Sequence, residues 1–489
     1  MSVIARFQAL LRPIVFLGRN PMTLTGAVLT TSAGVTLAVF LVLELLVGSR
    51  HARPYEGIIL YGILPVIFAL GLVLMPVGAL WRRITLNRSG QLPTVYPTFD
   101  LAQPVIRNAA LLVAVATVLN VALLGGASYK GIEHMDSVEL CGLTCHTVMS
   151  PEYTAYLNSP HSRITCVQCH IGPGASFFVK SKLDGLRQVV ATALNTYSRP
   201  IPSPVHTLRP ARETCEQCHW PTKFHGDKVV VKTRYADDEA NTPLTTVLVL
   251  RIGGQGGTGS TGIHGRHLTQ RERIHYIASD ERREEIAIVR YEKGDGQTIE
   301  YVAEGLNVPR EQLAGREERS MDCVDCHNRP THAFELPHRA VDRAISEGKI
   351  SRELPWIKKQ AVVLLQAEYA DAETAQEAIA DGLLEYYRAN HPQVLETKRA
   401  AFDGAVAAVQ ECYRRNVSPP MRLTWGSHPN HIGHEDFPGC FRCHDDSHKS
   451  AAGDVISQDC SACHAILALE ESDPKVLSDL GLAAPNGTN

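Results

Sequence analysis

The chain is 489 residues long, 44% hydrophobic and 20% charged, with 13 cysteines, 21 histidines and a formal charge of −3. That balance holds no basic excess and excludes a nucleic-acid partner on electrostatic grounds. So many cysteines in so long a chain do not make a disulfide scaffold either, because such frameworks belong to short secreted domains. The ordinary overall composition averages two unlike parts: residues 1–128 are mostly apolar, and the rest is polar and histidine-rich.

Residues 1–22 hold Arg6, Arg12 and Arg19 and no acidic side chain. The apolar run 24–48 is long enough to cross a bilayer and too long for the core of a cleavable signal peptide, so it reads as an uncleaved anchor. A second span covers 57–80, with Pro65 and Pro76 expected to kink it. Trp81 falls at the interface, and Arg82, Arg83 and Arg88 open a polar loop. A third span covers 108–128. The positive-inside rule puts the N-terminus and the Arg82–Arg88 loop in the cytoplasm and everything after the third span outside. The small cluster Arg50, His51 and Arg53 runs mildly against that orientation.

Beyond the third span one short motif, Cys-x-x-Cys-His, occurs five times, at Cys166/Cys169/His170, Cys215/Cys218/His219, Cys323/Cys326/His327, Cys440/Cys443/His444 and Cys460/Cys463/His464. A sixth copy, Cys141/Cys145/His146, is one residue longer. These copies use twelve of the 13 cysteines. Zinc ribbons also pair cysteines, but zinc has no need of a histidine directly after every second cysteine. The pattern is that of c-type haem attachment: two thiols form thioethers to the porphyrin and the adjacent histidine takes the iron. Six covalently bound haems are expected. Haem is attached in this way on the outer side of an energy-coupling membrane, which agrees with the topology read from the arginines. None of the three spans contains a histidine, so nothing supports haem within the bilayer.

The expected fold is mainly α and loop-rich, a multihaem cytochrome c with three N-terminal transmembrane helices and a small inserted β region. Residues 1–128 form the anchor, 129–230 a three-haem domain, 231–320 a β-rich insertion and 321–489 a second three-haem domain with a helical segment. The stretch 179–194 has helical spacing of apolar residues. Stretches 229–233, 245–252 and 286–291 are rich in β-branched residues, and Lys293-Gly294-Asp295-Gly296 signals a turn. Stretches 356–365 and 372–387 have helical periodicity. The glycine run 253–260 lacks the lysine of a phosphate-binding loop and reads as a flexible loop beside a haem. Cys412 stands alone and reads as a buried free thiol.

Each iron has a second axial position, filled by histidine, by methionine or left open. Candidates are the histidines just outside the motifs: His161, His264, His332, His431, His434 and His448. His267 stands close behind His264. His51, His225 and His391 read as surface or core residues. For the longer first motif, Met149, His134 or no ligand at all remain open.

The run into Cys141–His146 and Met149, then Asn158-Ser159-Pro160-His161 before Cys166, Phe178 to Leu183, Leu186-Arg187 and Asn195-Thr196, resembles the NapC/NirT family of membrane-anchored multihaem cytochromes c. The resemblance covers roughly residues 115–220. It implies quinol oxidation at the membrane surface, with the membrane quinol pool as electron donor and a periplasmic cytochrome or reductase as acceptor. It also implies an inner-membrane location. Three spans, six motifs and a long C-terminal part resemble the larger members rather than the small single-anchor ones. Lys180 and Lys182 match the family's lysine-bearing segment and are quinol-site candidates by that resemblance. An acidic position of the small relatives falls at Gln188 here. Glu133, Asp136, Glu139 and Asp184 are available as proton acceptors. Two other functional readings stay open: an electron-conducting subunit of a larger membrane complex, which brings in other membrane subunits, and a terminal reductase with one five-coordinate haem.

Overall fold

Three long apolar helices stand where the three apolar runs lie. In the computed structural model these are α1 (Pro21–Val47), α2 (Leu64–Arg88) and α3 (Pro104–Met135). The structure describes residues 12–47, 63–96, 102–144, 146–172, 175–205, 208–224, 226–256, 259–269, 272–305 and 308–482. Cys145, His51 and His225 lie outside them. The chain divides into two units, Met1–Thr144 and Cys145–Asn489.

In the first unit, Pro65 and Pro104 open α2 and α3 at positions where their missing N–H costs nothing. Pro76 lies inside α2. Helices α1 and α2 pack along their length because small residues let the backbones touch. A Cβ at Gly71 would stand 2.7 Å from the Gly26 carbonyl oxygen. The Thr23 hydroxyl donates to the Met75 carbonyl across that contact at 3.0 Å. Residues 21–40 of α1 and all of α2 are long and apolar enough to cross a membrane. After α3 the chain makes a π-helical turn, Leu140–Thr144. This wider turn falls on the first motif.

The second unit opens with α4 (His146–Leu157) and α5 (Ala175–Ala193). Its largest core is a helical cluster of α7 (Pro337–Ser346), α8 (Ile357–Gln366), α9 (Ala372–Asn390) and α10 (Arg399–Asn416); the intervening α6 is Gly262–His267. Leu354, Ile357, Leu365, Ile379, Leu383 and Tyr387 are wholly buried there. Each contributes about 1.5–3 kcal/mol by leaving water. Cys412 is buried in the same cluster, its thiol pushed up to about 11 by burial. Asp342 and Lys358 form a buried ion pair, and the Asp342 carboxylate also accepts from the Tyr235 N–H at 3.1 Å.

The strands are β1 (Lys228–Tyr235), β2 (Pro243–Leu250), β3 (Gly254–Gly256), β4 (Gly259–Thr261), β5 (Arg273–Ala278), β6 (Ile286–Glu292), β7 (Thr298–Ala303), β8 (Arg319–Ser320), β9 (His448–Ser450) and β10 (His464–Glu471). They make an antiparallel sheet β1-β2-β10, a hairpin β3-β4 and an antiparallel sheet β8-β5-β6-β7-β9. Each larger sheet thus takes a strand from the last part of the chain. The turn at 293–296 joins β6 to β7, with Gly296 at φ +84° and the Asp295 carboxylate accepting from Gln297 N–H. Asn241 in the β1–β2 turn adopts φ +46°. Its amide donates to the Arg352 and Leu354 carbonyls, which ties that sheet to the helical core.

Candidate functional site

The cysteines of the Cys166, Cys323 and Cys460 motifs sit on single helical turns whose starts are written locally. Thr165 and Gln168 form a capping box before Cys166–His170. Asp322 and Asp325 form one before Cys323–Cys326, and the Asp459 carboxylate accepts from Ser461 N–H before Cys460–Cys463. Thiols of consecutive motifs are neighbours. The Cys169 thiol lies near those of Cys215 and Cys218, and the Cys215 thiol near that of Cys323. Cys326 feels Cys440, and Cys440 in turn acts on Cys463. The five motifs of the second unit therefore follow one another in space in sequence order. Among the described residues no group of three or more His, Cys, Asp and Glu is gathered about one point as a metal site.

Each of the five regular motif histidines faces one histidine from outside the motifs. Ring centroids are 6.2 Å apart for His170 and His332, and 6.0 Å for His219 and His161. They are 6.3 Å apart for His327 and His264, 5.8 Å for His444 and His267, and 6.2 Å for His464 and His434. Two imidazoles sharing one metal ion through bonds of about 2 Å hold their centroids about 6 Å apart. The residues therefore fit a haem iron between each pair.

Proton bookkeeping on the rings points the same way. Nδ1 of His161, His267, His332 and His444 lies 2.8–3.2 Å from a main-chain carbonyl: Pro330, Ile263, Glu152 and Ser457. A ring that donates Nδ1–H to a carbonyl keeps its Nε2 lone pair for a metal. Burial is the largest cause lowering the pKa of His170, His264, His267, His327 and His332, which favours the neutral ring.

Two of the outer histidines come from one short helix. His264 and His267 lie three apart on α6, hence on one side of it, and turn to different motifs. The glycine run places this helix. Rather than a loose loop it forms the β3–β4 ladder, and a Cβ at Gly254 would stand 1.8 Å from the Phe224 carbonyl oxygen. His267 was not among the expected partners, although its spacing from His264 was the available signal.

His431 and His448 are placed differently from the other candidates. His448 opens β9 and is fully buried. Its Nδ1 lies 2.9 Å from the Asp445 carboxylate and its Nε2 3.0 Å from the Ile286 carbonyl, so both nitrogens are engaged and none is left for iron. His431 is also buried, its Nδ1 3.3 Å from the Asp325 carbonyl, and it faces no motif histidine among the described residues. Met149 lies on α4, three residues after His146, whose side chain lies outside the described ones.

Lys180 and Lys182 both lie on α5, but residues two apart project to different sides of a helix. Lys182 shares its side with Leu186 and Val189, one and two turns on, both more than half exposed. Lys180 shares its side with Leu183, also more than half exposed, and with Asp184 and Arg187.

Taken together, the attachment motifs and the paired imidazoles define a multihaem c-type cytochrome. Residues 104–201 match the model of the NapC/NirT cytochrome c family, N-terminal region. The chain is 42% identical over 452 residues, covering 92% of it and 88% of the relative, to the cytochrome c-type protein ImcH of Geobacter sulfurreducens. It is 30% identical over 93 residues to the cytochrome c-type protein NrfH of Wolinella succinogenes, covering 18% of this chain and 52% of that one. No solved structure matches. The chain belongs to the NapC/NirT family of membrane-anchored multihaem c-type cytochromes and works in electron transfer.

Proposed function

We propose that the protein is a hexahaem quinol dehydrogenase of the cytoplasmic membrane, which oxidises quinol at the outer face and relays electrons to a periplasmic cytochrome or reductase. The five facing histidine pairs support this reading, because each would offer an iron two protein ligands. The twelve motif cysteines would hold six haems as thioethers. His146, His170, His219, His327, His444 and His464 would be the proximal ligands. His332, His161, His264, His267 and His434 would complete the last five centres in that order. When bound, haem supplies one-electron chemistry.

The sequence-ordered neighbourhood of the five regular motifs supports a linear relay among them, and we put its entry at the first motif. That motif begins within a few residues of the end of α3, which we read as the third span. With the N-terminus cytoplasmic, three crossings leave the second unit outside.

Met149, His134 or no residue at all would complete the first centre, and quinol would be oxidised beside it. Of the two quinol-site candidates we favour Lys182, which lies beside exposed Leu186 and Val189 and away from the charges of Asp184 and Arg187 on α5. The protons would leave to a nearby carboxylate. Glu133 and Glu139 are both exposed, and Glu133 pairs with Lys130 at 2.8 Å. The test is anaerobic addition of menaquinol and ubiquinol analogues to the purified, oxidised protein. The proposal expects one of them to reduce the haems within seconds to minutes, and it fails if neither does.

A further inference from the structure

Helix α4 carries the first motif's histidine at its start and, six residues on, a buried carboxylate that the relay does not use. The side chain of Glu152 is 12% exposed. Its carbonyl accepts from His332 Nδ1 at 2.9 Å, and its carboxylate Oε2 stands 3.2 Å from the same nitrogen. Because that N–H is spent on the carbonyl, Oε2 has no hydrogen-bond donor among the described residues. Burial raises the pKa of this carboxyl and Arg329 pulls it back, while Oε2 stays at contact distance from the ring. Arg329, 8% exposed, holds the other oxygen at 3.8 Å, and Arg329 Nε also has no acceptor. A buried carboxylate so placed carries a desolvation cost that hydrogen bonds do not offset. Packing alone would be served as well by an apolar side chain of the same volume.

We propose that Glu152 is a positioning and tuning residue for the haem centre between His170 and His332. Its carbonyl sets the plane of the His332 ring. Its carboxylate makes that imidazole a stronger electron donor, which stabilises the oxidised iron and lowers the centre's reduction potential. Since Glu152 and His146 share α4, the same helix would set the ligation of the first centre and the potential of the second. The inference rests on the assignment of His170 and His332 as one axial pair.

The test uses the full-length haem-loaded protein reduced chemically, so it does not depend on quinol. Glu152→Gln keeps the size and the main-chain carbonyl while removing the charge. The expected result is that one midpoint in a potentiometric titration moves upward and one low-spin EPR signal changes its g values, with the others unaltered. Glu152→Asp, which withdraws the charge by one methylene, should move the same midpoint less and serves if the glutamine variant loads haem poorly. His332→Ala separates the two levels of the argument. If it creates one high-spin haem while both Glu152 variants leave all midpoints and g values unchanged, the tuning role is overturned. If His332→Ala leaves every haem low-spin, the pair assignment itself fails.

Discussion

The rings of His267 and His444 face each other with centroids 5.8 Å apart, one from a short helix after a glycine hairpin and one from the fifth motif. His267 Nδ1 lies 2.8 Å from the Ile263 carbonyl and His444 Nδ1 3.0 Å from the Ser457 carbonyl. Both rings thus have Nε2 free for a shared metal. His267→Ala should convert one low-spin haem to high-spin, read by EPR and by the charge-transfer band in the visible spectrum. His448→Ala should leave every spin state unchanged and lower stability, because it removes only the contacts to Asp445 and Ile286.

Helix α5 separates the two lysines that the family resemblance marks together. Lys182→Met should slow quinol-dependent reduction at least several-fold while leaving reduction by dithionite unaltered. Lys180→Met, on the side of Asp184 and Arg187, should leave both rates near those of the parent. Stopped-flow reduction with a quinol analogue distinguishes the two; equal slowing by both substitutions would contradict the assignment.

The buried pair of Asp342 and Lys358 ties β1 to the helical core, with both side chains about 5% exposed. Burial raises the Asp342 carboxyl, and Lys358 pulls it back. Asp342→Ala strands a buried ammonium and should destabilise the second unit by about 3–5 kcal/mol. Replacing both together, Asp342→Leu with Lys358→Met, should cost much less. Guanidinium unfolding followed by circular dichroism reports the difference.

His428 is 5% exposed, and its pKa is lowered to about 3 by burial and then by Arg329 and Arg282. In the unfolded chain a histidine titrates near 6.5. Between these values the unfolded state binds the additional proton, so stability is whole above about pH 6.5 and falls as pH drops through the window. The expected loss is about 2 kcal/mol at pH 5 relative to pH 8. His428→Leu should flatten that slope in denaturant midpoints measured across the range.

The attachment sites were readable because they are local: three residue types at fixed spacing, on turns capped by Thr165, Asp322 and Asp459 next door. The long helices and the strands β1, β2 and β6 were legible for the same reason, through periodicity within one stretch. The ligand partners are tertiary. His448 follows its motif by four residues and looks like a partner, but β9 pairs with β7 and turns its ring onto the Ile286 carbonyl. His267 looks like a spare beside His264 until a helical turn puts both on one side. Strand β10 begins at the last motif histidine and was hidden because β2, far away in the chain, supplies its ladder.

The central claim is that five irons sit between the paired histidines while the first centre is different. EPR of the oxidised protein, with haem content counted by intact mass, tests it most directly. The account predicts six haems per chain and five low-spin bis-histidine centres, with any high-spin or methionine-ligated signal confined to a single haem. Fewer than five bis-histidine centres in a fully loaded chain would contradict it.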